Sequence, residues 1–191
     1  MKLARVAVLL SLAAQASLFA HTGVGTTAGI SAGFMHPIGG LDHVLAMVAV
    51  GLWAAQMGGR ALWAVPAAFV GMMLVGGTLG ISGVGIPFIE TGIIASVVVL
   101  GLLIAGGIKM PVAAGMAIVG AFAIFHGHAH GTEMPVNAAG LMYMAGFVAA
   151  TTMLHAGGIA AGIGLGRVKI ERVVRMGGGA IAAGGLLLVL A

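Results

Sequence analysis

The chain has 191 residues, of which 61% are hydrophobic and only 6% charged, whereas a soluble domain carries about 25% charge. This composition, with a mean hydropathy of +1.20, places the chain in a lipid bilayer as one compact bundle, with no room for a second, soluble domain. The pI near 10.4 does not point to nucleic acid, because the 8 Lys and Arg stand at segment ends, where they orient spans rather than form a basic patch. The absence of Cys excludes disulfides and thiolate metal sites.

In chain order, residues 1–20 read as a cleavable signal peptide. Lys2 and Arg5 form its positive start, and Val6 to Leu12 begin its apolar run. Two cleavage points compete. Ala14 and Ala16 suit a cut after Ala16, while a cut after Ala20 leaves His21 as the mature N-terminus but puts the bulky Leu18 three positions back. The alternative is an uncleaved first span. Residues 21–191 then form a single all-α membrane domain. Six apolar stretches, near 28–57, 61–81, 87–107, 111–130, 136–165 and 172–190, each approach the roughly 20 residues that a span requires. The first and fifth are long, which predicts tilted or broken helices.

The first stretch holds His36-Pro37-Ile38-Gly39-Gly40-Leu41-Asp42-His43. Ionisable groups inside a span cost roughly 2.5–3.5 kcal/mol each on insertion scales, so by default they mark function. On an unbroken helix His36 and His43 share a face and Asp42 points away. Pro37 lacks an amide donor and Gly39-Gly40 loosens the next turn, so the sequence predicts a break near Pro37, Gly39 and Gly40. Broken helices at membrane depth line cavities and commonly form transporter sites. The break would let Asp42 converge with the two His. Asp42 also suits a second role, accepting the other ring proton of a ligating His and so fixing its tautomer. The structural alternative is a His–Asp pair that merely pins two helices.

The third stretch opens with Glu90 just after Pro87. Its position is either that of a ligand or that of an acid favoured by the helix macrodipole. The fourth ends in His126-Gly127-His128-Ala129-His130-Gly131-Thr132-Glu133. If the helix continues that far, His126, His130 and Glu133 share a face and His128 points elsewhere. Otherwise the segment is an outer loop that collects metal, or a solvated loop with no ligand role. In the fifth stretch His155 follows Thr151 by one turn, and it reads equally as a ligand or as a histidine hydrogen-bonded to Thr. Most of the 35 Gly, such as Gly29 and Gly33 or Gly158, Gly162 and Gly166, have the spacing that lets helices approach closely in lipid. The 13 Met raise a Cu(I) or thioether path, but their scatter suits apolar filler better.

Beyond the signal, every Lys and Arg lies in three connections or just after one: Arg60, Lys109, and Arg167, Lys169, Arg172 and Arg175. The positive-inside rule puts all three connections in the cytoplasm. A cleaved signal gives the same orientation, with the mature N-terminus and the C-terminal Ala191 outside. The polar residues then run inward, from His21, Glu90 and the 126–133 segment, through His36, Asp42 and His43, to His155. That arrangement suits a path better than a closed structural site. Imidazole with carboxylate suits Ni(II), Zn(II), Co(II) or Cu(II).

The string His36-Pro-x-x-Gly-x-Asp-His43-x-x-Ala-Met47, in a small signal-bearing chain with six spans, resembles the HupE/UreJ family. The likeness covers the signal, the motif in the first span, the acidic third span and the His/Glu end of the fourth. It implies a permease of the bacterial inner membrane, with periplasmic termini. The implied cargo is nickel, with Co2+ or Zn2+ as alternatives, and the indirect recipient is a hydrogenase or urease maturation system. It also implies that His36, Asp42 and His43 carry the signature and that Glu90, His130 and Glu133 are partners, with His126 and His128 less regular in the family. No organic cofactor is implied, and the oligomeric state stays open.

No Walker-type phosphate loop is present, so the chain's own sequence supports facilitated diffusion or proton coupling rather than ATP-driven transport. Two other readings compete. One is an intramembrane serine hydrolase using Ser82 in Gly80-Ile-Ser82-Gly83 with His155 as base, or Ser31 in a GxSxG string. It requires nucleophile and base within about 3 Å. The other is a membrane accessory protein that binds metal without transporting it.

Overall fold

The computed structural model describes residues 29–134, 138–167 and 171–190. The expected signal peptide, its cleavage points and His21 lie outside these residues, as does Lys169. The described chain folds into helices alone: α1 Ile30–Gly39, α2 Leu41–Met57, α3 Ala61–Ile81, α4 Ile89–Gly106, α5 Val112–Glu133, α6 Ala138–Arg167 and α7 Glu171–Val189. Five of them are long and apolar enough to cross a membrane. α1 and α2 meet the same criterion only when taken together, as one broken span or a re-entrant pair bent by 85°. The protein is an all-α integral membrane bundle.

The bend falls where Pro and Gly crowd the sequence. Pro37 stays inside α1, and the chain turns at Gly40, whose backbone is extended (φ −96°, ψ 120°). α3 matches the expected 61–81 span. α5 continues to Glu133, three residues beyond the expected 130, so the His-rich segment is helical and not a loop. α6 is one unbroken helix of 30 residues, about 45 Å long at 1.5 Å per residue. It exceeds the roughly 30 Å hydrocarbon layer, as its length in sequence suggested.

α3 packs along α5, α4 along α7, and α1 and α2 along α6. Glycine makes these contacts close. A Cβ at Gly127 would fall on the Met73 carbonyl, one at Gly131 on the Gly77 carbonyl, and one at Gly158 on the Val48 carbonyl. Gly33 meets the Tyr143 backbone in the same way, and Gly162 meets Ala55. Gly29 and Gly166 depart from the expectation of close packing. Nothing lies within 4 Å of a Cβ built on either, and Gly29 serves a turn at φ +92°.

Because each helix reverses direction, the basic connections gather at one end of the bundle and the His-bearing ends of α2 and α5 at the other. At the basic end, Trp53 Nε1 donates to the Ile108 carbonyl at 2.9 Å, Gln56 Nε2 to Ile104 at 3.2 Å and Arg175 Nε to Ala105 at 2.8 Å. These donors bind carbonyls in the last turn of α4 and just beyond it, where a helix leaves its carbonyls short of partners.

Candidate metal path

The break before α2 creates the local chemistry. In a continuous helix the His43 amide would bond the carbonyl four residues back. With the helix restarting at Leu41, that amide is one of the orphan donors of a helix N-terminus. Asp42 Oδ1 accepts it at 2.8 Å, and the same oxygen accepts His43 Nδ1–H at 2.9 Å. The α2 macrodipole favours a carboxylate there as well. Asp42 thus fixes both the direction and the tautomer of the imidazole, leaving Nε2 as the basic nitrogen. The contact has the geometry an orienting carboxylate requires. Tautomers here follow from hydrogen-bond partners, not from visible protons.

His43 Nε2 faces His130 Nε2 at 2.7 Å. With the His43 nitrogen accepting, His130 donates from Nε2, and its basic nitrogen is Nδ1. His126, one turn earlier on α5, meets the His43 ring edge-on at a centroid distance of 4.9 Å. Its Nε2 is 2.9 Å from Ser96 Oγ on α4. Ser96 gives its hydroxyl proton to the Ile93 carbonyl at 2.6 Å, so its oxygen accepts, His126 Nε2 donates and Nδ1 of His126 is basic. His36, from α1, lies 4.4 Å from the His130 ring. His43 and His126 are fully buried and His130 is 1% exposed. His36 is half-buried.

The order is therefore His36, His130, His43, His126, running from a partly open position into the core. Phe147 packs on His130 at 4.6 Å, and Tyr143 stacks on Phe147. Phe69 closes the inner end at 5.6 Å from His126, with His155 beyond it at 5.2 Å. Among the described residues no three His, Asp or Glu side chains already form a closed ligand set. The rings succeed one another instead, at centroid distances of 4.4, 4.8 and 4.9 Å.

The remaining residues singled out in the sequence divide. Glu133 is half-buried at the end of α5 and lies within electrostatic reach of Tyr143, whose ring is 5.8 Å from His36. Glu90 is exposed in the first turn of α4, where it lines a groove with Leu188 and Val189. His128 does point elsewhere: its Nε2 donates to the Val84 carbonyl at 2.6 Å, tying the α3–α4 turn to α5. His155 is not hydrogen-bonded to Thr. Thr151 turns to Met73 Sδ at 3.9 Å and Thr152 to the Val148 carbonyl at 2.8 Å. Ser82 is exposed at the end of α3 and donates to the Thr78 carbonyl at 2.8 Å. Neither ring nitrogen of His155 has a hydrogen-bond partner, so Ser82 and His155 do not form a nucleophile–base pair. Ser31 is exposed on α1.

Sequence reasoning missed Ser96, Phe69, Tyr143 and Phe147. Ser96 carries a signal that could have found it, as the one Ser within the apolar 87–107 stretch. The aromatic rings carry none, because an aromatic in a span is ordinarily core.

The family described as HupE / UreJ protein matches residues 8–188. Protein HupE from Rhizobium leguminosarum bv. viciae is 45% identical over 195 residues, with both chains covered in full. No solved structure matches. The chain belongs to the HupE/UreJ family.

Proposed function

We propose that this member of the HupE/UreJ family is a permease that carries nickel ions across the bacterial inner membrane into the cytoplasm. There the nickel supplies the maturation of a hydrogenase or a urease. The observation that carries this reading is the succession of imidazoles from half-buried His36 to fully buried His126, backed by the Asp42 carboxylate. Four imidazoles clustered inside an apolar bundle are costly. Their ring contacts of 4.4–4.9 Å let an ion be handed from one basic nitrogen to the next. Glu133 and Glu90 stand at the outer end, where carboxylates concentrate cations, and are the proposed collectors.

The His43–His130 pair brings two imidazole Nε2 atoms together, and imidazole backed by carboxylate suits Ni(II), Cu(II), Co(II) or Zn(II). For both Nε2 atoms to bind one ion, His130 shifts its proton to Nδ1, so no proton is released. The driving force is available without ATP: a divalent ion gains about 4.6 kcal/mol on crossing 100 mV.

Radioactive nickel uptake by cells expressing the chain, with and without an uncoupler, tests the proposal. Uptake should exceed that of control cells and fall when the membrane potential is collapsed, and excess Co2+ or Zn2+ tests its selectivity. A correctly inserted protein that binds nickel without raising uptake would instead be a metal-binding accessory protein, and the permease reading would fail.

A further inference from the structure

The line of imidazoles does not end the polar chemistry of the core. On the far side of Phe69, His155 is 1% exposed, and neither of its ring nitrogens has a hydrogen-bond partner. A buried polar group left unsatisfied costs about 1–3 kcal/mol, which an apolar side chain of the same size would avoid. Such a group calls for a reason beyond packing.

Its surroundings supply one. Thr151 precedes His155 by one turn of α6, and Met73 follows Phe69 by one turn of α3. Residues four apart on a helix are neighbours on its surface, so two such pairs face each other. His155 meets Phe69 edge-on at 5.2 Å, and Thr151 Oγ1 lies 3.9 Å from Met73 Sδ. Phe69, Met73 and Thr151 are fully buried. An imidazole, a thioether and a hydroxyl are thus gathered behind one aromatic ring, in a stretch of the core that holds no acidic residue of α3 or α6.

We propose that His155 and Met73 form an inner transit site for the permeating divalent ion, with the Thr151 hydroxyl beside them. The inference rests on the permease reading above. The donor set is neutral and includes a soft thioether, so it holds a borderline ion more weakly than the carboxylate-backed pair His43–His130. A conducting pathway needs such a second, weaker site, so that an ion bound at the first can leave inward. Phe69 separates the two sites and restricts the passage between them.

The full chain, reconstituted in liposomes containing a nickel-quenched fluorophore, provides the test. His155→Phe keeps the ring volume and removes the unsatisfied nitrogens, and Met73→Leu keeps the shape and removes the sulfur. Nickel influx should fall at least fivefold in each variant. Nickel binding to the detergent-solubilised protein should persist at the outer cluster, and the melting temperature should hold or rise. Silver ion, a thioether-seeking probe, should slow wild-type influx in nitrate buffer and act at least fivefold less strongly on Met73→Leu. Wild-type influx with both variants at the wild-type rate overturns the inner site and leaves the permease standing. Loss of outer nickel binding together with influx in both variants overturns it as well, because the pair would then only support the cluster. Absence of influx from the wild type overturns both readings.

Discussion

One carboxylate oxygen of Asp42 serves two donors of His43, and the chemistry of the cluster depends on it. Asp42→Asn keeps the size and an acceptor oxygen but removes the charge that raises the basicity of the ring. Loss of such an orienting partner typically costs 10–100-fold in metal affinity or activity, roughly. Nickel uptake should fall by about that factor, while the protein still inserts at wild-type levels; normal uptake would show Asp42 to be a helix pin only. Ser96 is the corresponding support for His126. Ser96→Ala leaves a buried imidazole N–H without its acceptor, at a cost of about 1–3 kcal/mol. The melting temperature should drop, and uptake should drop with it. Acidity acts on the same nitrogens. A protonated imidazole cannot bind metal, so protons compete with the ion for each ring. Uptake should therefore decline as the outside pH is lowered from about 7.5 to about 5.5. A rise over that range would mean that proton coupling outweighs ligand protonation.

Among the helices, the α3–α5 contact explains the alternation of His and Gly in residues 126–131. Residues 126 and 130 face α2 and α1, whereas 127 and 131, rotated by one position, face α3. There the carbonyls of Met73 and Gly77 leave no space for a Cβ. Gly127→Ala should force α3 and α5 apart and abolish both thermal stability and nickel uptake. Gly177→Ala, where a Cβ meets nothing within 4 Å, should do neither; equal behaviour of the two variants in a melting assay would refute the close contact. Much of this level was legible in the sequence. Apolar length marks a span, and Pro37 with Gly39-Gly40 marks the break, because both signals are local. The pairing of His43 with His130 spans 87 positions and is set by helix packing that no local pattern encodes. Ser96 was hidden because a hydroxyl in a span can bond its own helix, as it also does here with Ile93. The His155–Thr bond, one of two equal readings of that histidine, is absent because each nearby hydroxyl found another acceptor, Met73 Sδ or the Val148 carbonyl.

Sidedness belongs to the whole molecule. The connections bearing Arg60 and Lys109, and the start of α7 with Arg172 and Arg175, lie at one end of the bundle. The α5 terminus with Glu133 lies at the other. If, as the positive-inside rule expects, the basic end is cytoplasmic, His36 and Glu133 face the periplasm and the cluster is reached from outside. The absence of Cys allows single Cys to be introduced without background. Thr132 is exposed beside Glu133, and Ile108 is 45% exposed beside Lys109. Thr132→Cys should react with a membrane-impermeant maleimide in intact cells, and Ile108→Cys only after the membrane is opened. Both variants leave every proposed ligand in place, so each should retain nickel uptake, and labelling is then read on a working protein. The opposite labelling would reverse the line of imidazoles. His36 and Glu133 would then be an exit, and the same basic nitrogens would serve export.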